Sequence, residues 1–166
     1  IPDFLFTCDL TGEVSITIES DKSEALVFDV VTSWEFIEHI AERDLPTICE
    51  TVRRHTKKSS LWILSGCPYD DWVDGINLHQ TVRPENWWID FFQSQGFTHL
   101  ADFCPYFGGQ FVRGPKYNAP GSFHLVLSWC PESAPAVPKL GLVESLYDRW
   151  LGSIWQKRIR RWTYGV

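Results

Sequence analysis

Leu26-Val27-Phe28-Asp29-Val30-Val31-Thr32-Ser33-Trp34-Glu35-Phe36-Ile37-Glu38-His39-Ile40 is the stretch whose reading decides the fold. Its first six residues are a β-branched run with one interior acid, the mark of a buried strand. Trp34–Ala41 then reads as helical, as does Asp44–His55. In the second of these Asp44 stands where it can cap, and Pro46 falls in the first turn, where its missing N–H costs nothing. Ile48, Val52 and His55 share a face. Ser60–Ser65 (SLWILS), closed by Gly66, is the next buried strand. Two strands joined through helices lie parallel, with a right-handed crossover.

Working outward, Leu5–Cys8 is a shorter apolar strand ended by Asp9, and Thr11–Ala25 is a polar, acidic connection with one turn of helix. Cys67–Arg83 lacks a period and reads as a long loop, a length more often functional than idle. Pro84 opens a helix to Ser94 that presents Trp87, Trp88, Phe91 and Phe92, with Gly96 as its stop. Phe97–Phe103 and Ser122–Trp129 read as two strands of a hairpin, its long loop punctuated by Gly108, Gly109, Gly114, Pro115, Pro120 and Gly121. The expected fold is therefore α/β, a partial Rossmann-like sheet, mostly parallel with an antiparallel C-terminal hairpin. Residues 1–130 form that domain, and Pro-rich 131–141 is a linker. Residues 142–166 read as an amphipathic aromatic and basic helix carrying Trp150, Trp155 and Trp162.

The 166 residues suffice for one domain, and nine Trp, five Tyr and eleven Phe argue for a packed core over disorder. Net charge is −6, yet Lys157, Arg158, Arg160 and Arg161 crowd the last ten residues, so the body is more acidic than the total and the tail is basic. An acidic body disfavours an extended nucleic-acid groove and suits a small or neutral substrate. The basic tail suits a partner protein or an anionic membrane surface. Five widely spaced cysteines without a C-x-x-C pair fit neither a zinc ribbon nor a disulfide framework. No apolar run is long enough to span a bilayer, and no leader pattern opens the chain. The expected location is cytoplasmic, with a peripheral membrane association as the tail's alternative.

On a helix, Glu35, Glu38 and His39 stand at i, i+3 and i+4, so two carboxylates and an imidazole would share one face. Oxygen donors with one nitrogen suit Mg²⁺ or Mn²⁺, with Zn²⁺ or Fe²⁺ as alternates. The competing reading makes the acids solvated and His39 an orienting residue. His79, in the long loop, falls among the segments placed at the same strand ends and can supply a further ligand. Its own bland alternative is a loop histidine bonded to backbone carbonyls. His55, His99 and His124 read as structural.

From Cys8-Asp9-Leu10-Thr11 through Phe28–Ile40, Leu61–Ser65, His79–Trp88 and Gln95-Gly96-Phe97, the sequence resembles class I S-adenosylmethionine-dependent methyltransferases of the small-molecule O-methyltransferase type. The resemblance implies that Asp9 bonds the adenine amino group, with Leu10 and Thr11 framing the ring. It implies that Thr32, Ser33 and Trp34 line the methionine end and the substrate pocket. Two branches, the ubiquinone-pathway O-methyltransferases and the small-RNA 3′-end 2′-O-methyltransferases, hold a divalent ion on a Glu-x-x-Glu-His cluster, and the RNA branch adds a later histidine. Glu35, Glu38 and His39 match that cluster and His79 the later histidine; Glu38 and His39 are then also the expected catalytic residues. The implied activity is methyl transfer to a small-molecule hydroxyl.

The family's glycine-rich turn and ribose-binding acid do not precede Asp9. Since methionine is absent even at position 1, this half is expected upstream, over roughly 80–120 further residues by the usual domain size. The alternative is a catalytically incomplete, methyltransferase-like accessory or scaffold subunit that docks through residues 142–166.

Overall fold

The computed structural model describes residues 7–18, 21–103 and 122–139. The chain first forms a small antiparallel hairpin of β1 (Thr17–Ile18) and β2 (Asp21–Ala25). A four-stranded mixed sheet follows, built from β3 (Phe28–Ser33), β4 (Thr56–Gly66), β7 (Thr98–His99) and β8 (Phe123–Ser128), in the order β3-β4-β8-β7. β3 and β4 run parallel, and β8 lies antiparallel between β4 and β7. The long loop carries a third sheet, the hairpin of β5 (Trp72–Val73) and β6 (Ile76–Asn77).

β4 explains why the sheet forms. Its Leu61-Trp62-Ile63-Leu64 run is buried on both faces, as a central strand of an α/β sheet demands. Trp62 and Leu64 point to one side and pair with Leu127 and Leu125. There they meet Ile48, Cys49 and Val52 of α1 (Leu45–Arg54) and Trp88 and Phe92 of α2 (Glu85–Ser94), together with Ile37, Phe97 and Phe123. The Trp62 ring packs edge-on against Phe92 and Phe97 at 5.1 and 5.5 Å between centroids. Leu61, Ile63 and Val126 point to the other side, against Phe103. The described residues therefore form a mixed α/β layer with α1 and α2 on one face.

Both α-helices begin where the sequence places them, with Pro46 in the first turn of α1 and Pro84 as the residue before α2. Asp44, expected to cap α1, makes no side-chain capping bond; its carboxylate instead faces Arg43 at 3.6 Å. α2 ends at Gly96, whose φ of +81° is the left-handed conformation that stops a helix without a Cβ penalty. The Arg53 guanidinium donates to the Gln95 carbonyl and sits 5.3 Å from the Phe97 ring centre, which ties the ends of the two helices together.

Four expectations are corrected. Trp34–Ala41 is not an α-helix: Glu35 takes a left-handed φ of 47°, and only single 3-10 turns follow at Ile37–His39 and Glu42–Asp44. Ile40 is extended, which interrupts helical propagation between them. The polar connection 11–25 contains the β1–β2 hairpin rather than a helical turn. Phe97–Phe103 shortens to β7 and a 3-10 turn at Ala101–Phe103. Thr7 and Cys8 are outside any strand, while Leu5 and Phe6 lie outside the described residues.

Pro131–Ser133 is a 3-10 turn, and Ala134 packs against the second core cluster, so the proline-rich segment begins bound to the domain. The glycine-punctuated stretch 104–121 and the predicted helix at 142–166 lie outside the described residues. Among the described residues, no helix is long and apolar enough to cross a membrane.

His55 anchors the N-terminal hairpin. Its Nδ1–H donates to the Leu26 carbonyl at 2.7 Å, and its Nε2 accepts from the Ile16 amide at 3.2 Å. Arg54 adds a bond to the Val14 carbonyl and an ion pair with Glu13. These contacts hold Glu13, Val14, Ile16 and Leu26 against the end of α1, and His55 is structural, as its sequence setting suggests.

Candidate metal centre

β3 and β4 end side by side, with Ser33 opposite Leu64. From the end of β3 the chain turns sharply at Glu35, whose amide donates to Ser65 Oγ at 2.9 Å. That turn drives Ile37 into the core and lays Glu38 and His39 over it. Ile37 is packed against Gly66 at the end of β4, where an added Cβ would approach Ile37 Cδ1 to 3.1 Å. The later segment reaches the same place because the amides of Gln80 and Thr81 donate to the Glu38 carbonyl at 2.8 and 3.0 Å. Thr81 Oγ1 donates to the Ile40 carbonyl at 2.7 Å. A strand-like clasp thus brings His79 beside Glu38 and His39.

One donor atom from each of Glu38, His39 and His79 lies within 4.8 Å of the others. Glu38 and His79 are buried and His39 is half-buried. The two imidazoles meet edge to face, 4.7 Å between centroids at 84°. The His39 Nδ1 faces the Leu78 carbonyl at 3.1 Å, and the His79 Nδ1 faces the Tyr69 carbonyl. A carbonyl oxygen only accepts, so each Nδ1 carries a proton, and in the neutral ring the lone pair then resides on Nε2. This is the tautomer in which backbone partners usually hold metal-binding histidines.

Two imidazoles and one carboxylate form a donor set suited to Mn²⁺, Fe²⁺ or Zn²⁺, richer in nitrogen than a Mg²⁺ site. Three mutually equidistant ligands bonded at about 2.0–2.2 Å to one ion stand at most about 3.8 Å apart, so donor atoms spread over up to 4.8 Å would draw together to close on an ion.

Glu35 does not join this group. The helical spacing that would have aligned it with Glu38 and His39 is absent, and its Oε2 accepts from Ser122 Oγ at 3.3 Å. The expected four-residue ligand set is reduced to three.

The expected cofactor residues have varied surroundings. Asp9 and Thr11 form an exposed turn in which Asp9 Oδ1 accepts from the Thr11 amide at 2.9 Å and from its hydroxyl at 2.7 Å. Those bonds to the Thr11 hydroxyl and amide hold the Asp9 carboxyl below the usual carboxylate range. Leu10 packs against the core cluster that Val31 and Phe36 also flank. Ser33 Oγ accepts from Trp62 Nε1 at 2.9 Å, so its hydroxyl is engaged by the core. Thr32 is exposed, and Trp34 is exposed with its ring 6.4 Å from His124. Burial holds the His124 imidazole below its ordinary range, against the opposing pull of Glu35 and Glu85.

The site contains groups that the sequence reading passed over: the carbonyls of Tyr69 and Leu78, and the Asn77 amide that shapes the loop between them. The signal for them is Val73-Asp74-Gly75-Ile76. Asp-Gly between β-formers marks a two-residue hairpin, and both turn residues take positive φ, 50° and 80°. In the comparisons with known proteins, no family model matches the chain and no curated protein matches it.

Proposed function

We propose that this domain is the acceptor side of an S-adenosylmethionine-dependent O-methyltransferase that uses a divalent ion held by Glu38, His39 and His79. The observation that carries this reading is the meeting of His79 with Glu38 and His39, both imidazoles set with Nε2 as the lone-pair nitrogen. The cluster stands beyond the carboxyl ends of a parallel strand pair, where α/β sheets place their ligands.

When bound, a divalent ion there would orient an acceptor hydroxyl and favour its deprotonation, and the sulfonium of S-adenosylmethionine would supply the methyl group. The reaction forms an O–C bond as the S–C bond breaks, and the hydroxyl proton is lost to a base. Glu38 and the two imidazoles hold the acceptor side in place, while the packed turn at Ile37–His39 fixes their spacing. Direct transfer needs alignment and exclusion of water above all.

A small-molecule hydroxyl is the acceptor class implied by the wider resemblance. The inclusion of His79 favours a second reading, a hydroxyl of the 3′-terminal ribose of a small RNA, because a later histidine distinguishes that branch. The acidic body would confine contact to the terminal nucleotides.

The test uses the protein as its gene encodes it, with methyl-labelled cofactor and Mn²⁺, offered either catechol-type small molecules or short single-stranded RNA. Label transfer that is lost on chelation and in Glu38→Gln supports the proposal. The acceptor that takes the label chooses between the readings, with an RNA whose terminal 2′-hydroxyl is blocked as control. No transfer to either acceptor, with no thermal shift on adding S-adenosylhomocysteine at millimolar concentration, would overturn it.

A further inference from the structure

The β5–β6 hairpin is bound to the metal cluster by more than proximity. Both carbonyls that receive the imidazole protons come from its two stems, Tyr69 before β5 and Leu78 after β6. Their placement depends on one side chain. Asn77 Oδ1 accepts from the Asp71 amide at 3.2 Å and from the His79 amide at 3.1 Å, and Asn77 Nδ2 donates to Asp70 Oδ1 at 2.7 Å. The orientation of the amide is fixed by chemistry, since its oxygen faces two N–H donors and its nitrogen faces a carboxylate that only accepts. The Leu78 amide closes the stem on the Asp71 carbonyl at 2.8 Å.

We propose that Asn77 is a positioning residue which, through this clasp, sets the Nδ1–H tautomer and the orientation of His39 and His79. It touches neither ion nor acceptor. Its oxygen spans the two stems, and without it Tyr69 and Leu78 no longer present their carbonyls together to the two rings. The rings are then free to exchange between tautomers, and only one of the two leaves a lone pair on Nε2. The consequence for affinity rests on the metal reading above; the consequence for the tautomers does not. Loss of such outer partners of metal-bound histidines typically weakens metal affinity about 10–100-fold.

The experiment combines long-range ¹H–¹⁵N spectra of the imidazoles at pH 8, without metal, with Mn²⁺ titration calorimetry. Wild type, Asn77→Ala, the pair Asn77→Asp/Asp70→Asn, and Trp72→Ala are compared. In wild type both rings should show an acceptor-type Nε2. Asn77→Ala should mix the tautomers of both rings and weaken Mn²⁺ binding at least about tenfold. The pair Asn77→Asp/Asp70→Asn retains the oxygen that accepts from Asp71 and His79 and restores the amide–carboxylate bond with its direction reversed, so it should preserve the tautomers. Trp72→Ala, a change on the same hairpin, should leave them unchanged.

Unaltered tautomers in Asn77→Ala would overturn the proposal, as would equal loss in Asn77→Asp/Asp70→Asn or in Trp72→Ala. If Asn77→Ala fails to fold, retained tautomers in Asn77→Asp/Asp70→Asn against mixed tautomers in Asn77→Leu, which is close in size and carries no acceptor, decide the matter in the same way. A wild-type protein that binds no Mn²⁺ but shows the tautomer change in Asn77→Ala would defeat the metal reading and leave the role of Asn77 standing.

Discussion

Gly66 is the point where the core and the cluster press on each other, and Gly66→Ala measures that pressure. A methyl group at this position would lie 2.7 Å from Phe123 Cζ and 3.1 and 3.2 Å from Ile37 Cδ1 and Cγ1. Carbon atoms prefer about 3.5–4.0 Å, so all three contacts are repulsive. Neither neighbour has room to withdraw, since Phe123 is 5% exposed and Ile37 fully buried. Overpacking of this kind costs about 1–3 kcal/mol. With a urea m-value of about 2 kcal/mol/M, a 2 kcal/mol loss lowers the unfolding midpoint by about 1 M.

Because Ile37 immediately precedes Glu38, the same displacement should also weaken the proposed metal binding. Phe123→Leu removes the Cζ atom that makes the closest approach, so the double variant Gly66→Ala/Phe123→Leu should recover about 1 kcal/mol relative to additivity. Urea unfolding of the four proteins gives the cycle. A midpoint for Gly66→Ala within error of wild type, or strict additivity in the double variant, would refute the packing argument.

Further outcomes follow from burial. The Cys49 thiol is pushed up to about 12 by burial in the core, against the opposing pull of Arg53. Alkylation by iodoacetamide at pH 8, followed by mass spectrometry, should label exposed Cys8 in the native protein and Cys49 only after denaturation. Rapid native labelling of Cys49 would contradict its placement. His124 and His99 are both held below the ordinary histidine range by burial. The unfolded chain therefore takes up these protons first, and their contribution to stability is full above about pH 6.5 and declines as pH falls through the range below it. Urea unfolding at pH 5 and 7.5 should show this loss, reduced in His124→Gln; a wild-type slope of opposite sign relative to the variant would refute it.

Much of the scaffold was legible because its signals were local. The Leu61–Leu64 run, Pro46 and Pro84 at the helix starts, and Gly96 at a helix end each specify their element with few contacts from elsewhere. The β1–β2 hairpin was not legible: Asp21-Lys22-Ser23-Glu24-Ala25 has little strand character, and the hairpin depends on His55 and Arg54 from α1. The cluster was legible in part. Glu38, His39 and His79 carry metal-binding chemistry whatever the backbone does, whereas Glu35 aligns with them only on a helical repeat. Tertiary contacts of the Glu35 amide with Ser65 and of its carboxylate with Ser122 override that repeat. Asn77 has no local signal of its own, because its role depends on the hairpin that Asp74-Gly75 turns within an otherwise aperiodic segment.

The central claim is that Glu38, His39 and His79 hold one divalent ion. Pulsed electron paramagnetic resonance of the protein with one equivalent of Mn²⁺ tests it without reference to any substrate. The account predicts two coupled imidazole nitrogens, one lost in His39→Ala and one in His79→Ala, with binding greatly weakened in Glu38→Gln. A spectrum without nitrogen coupling, or with the same coupling in all three variants, would contradict it.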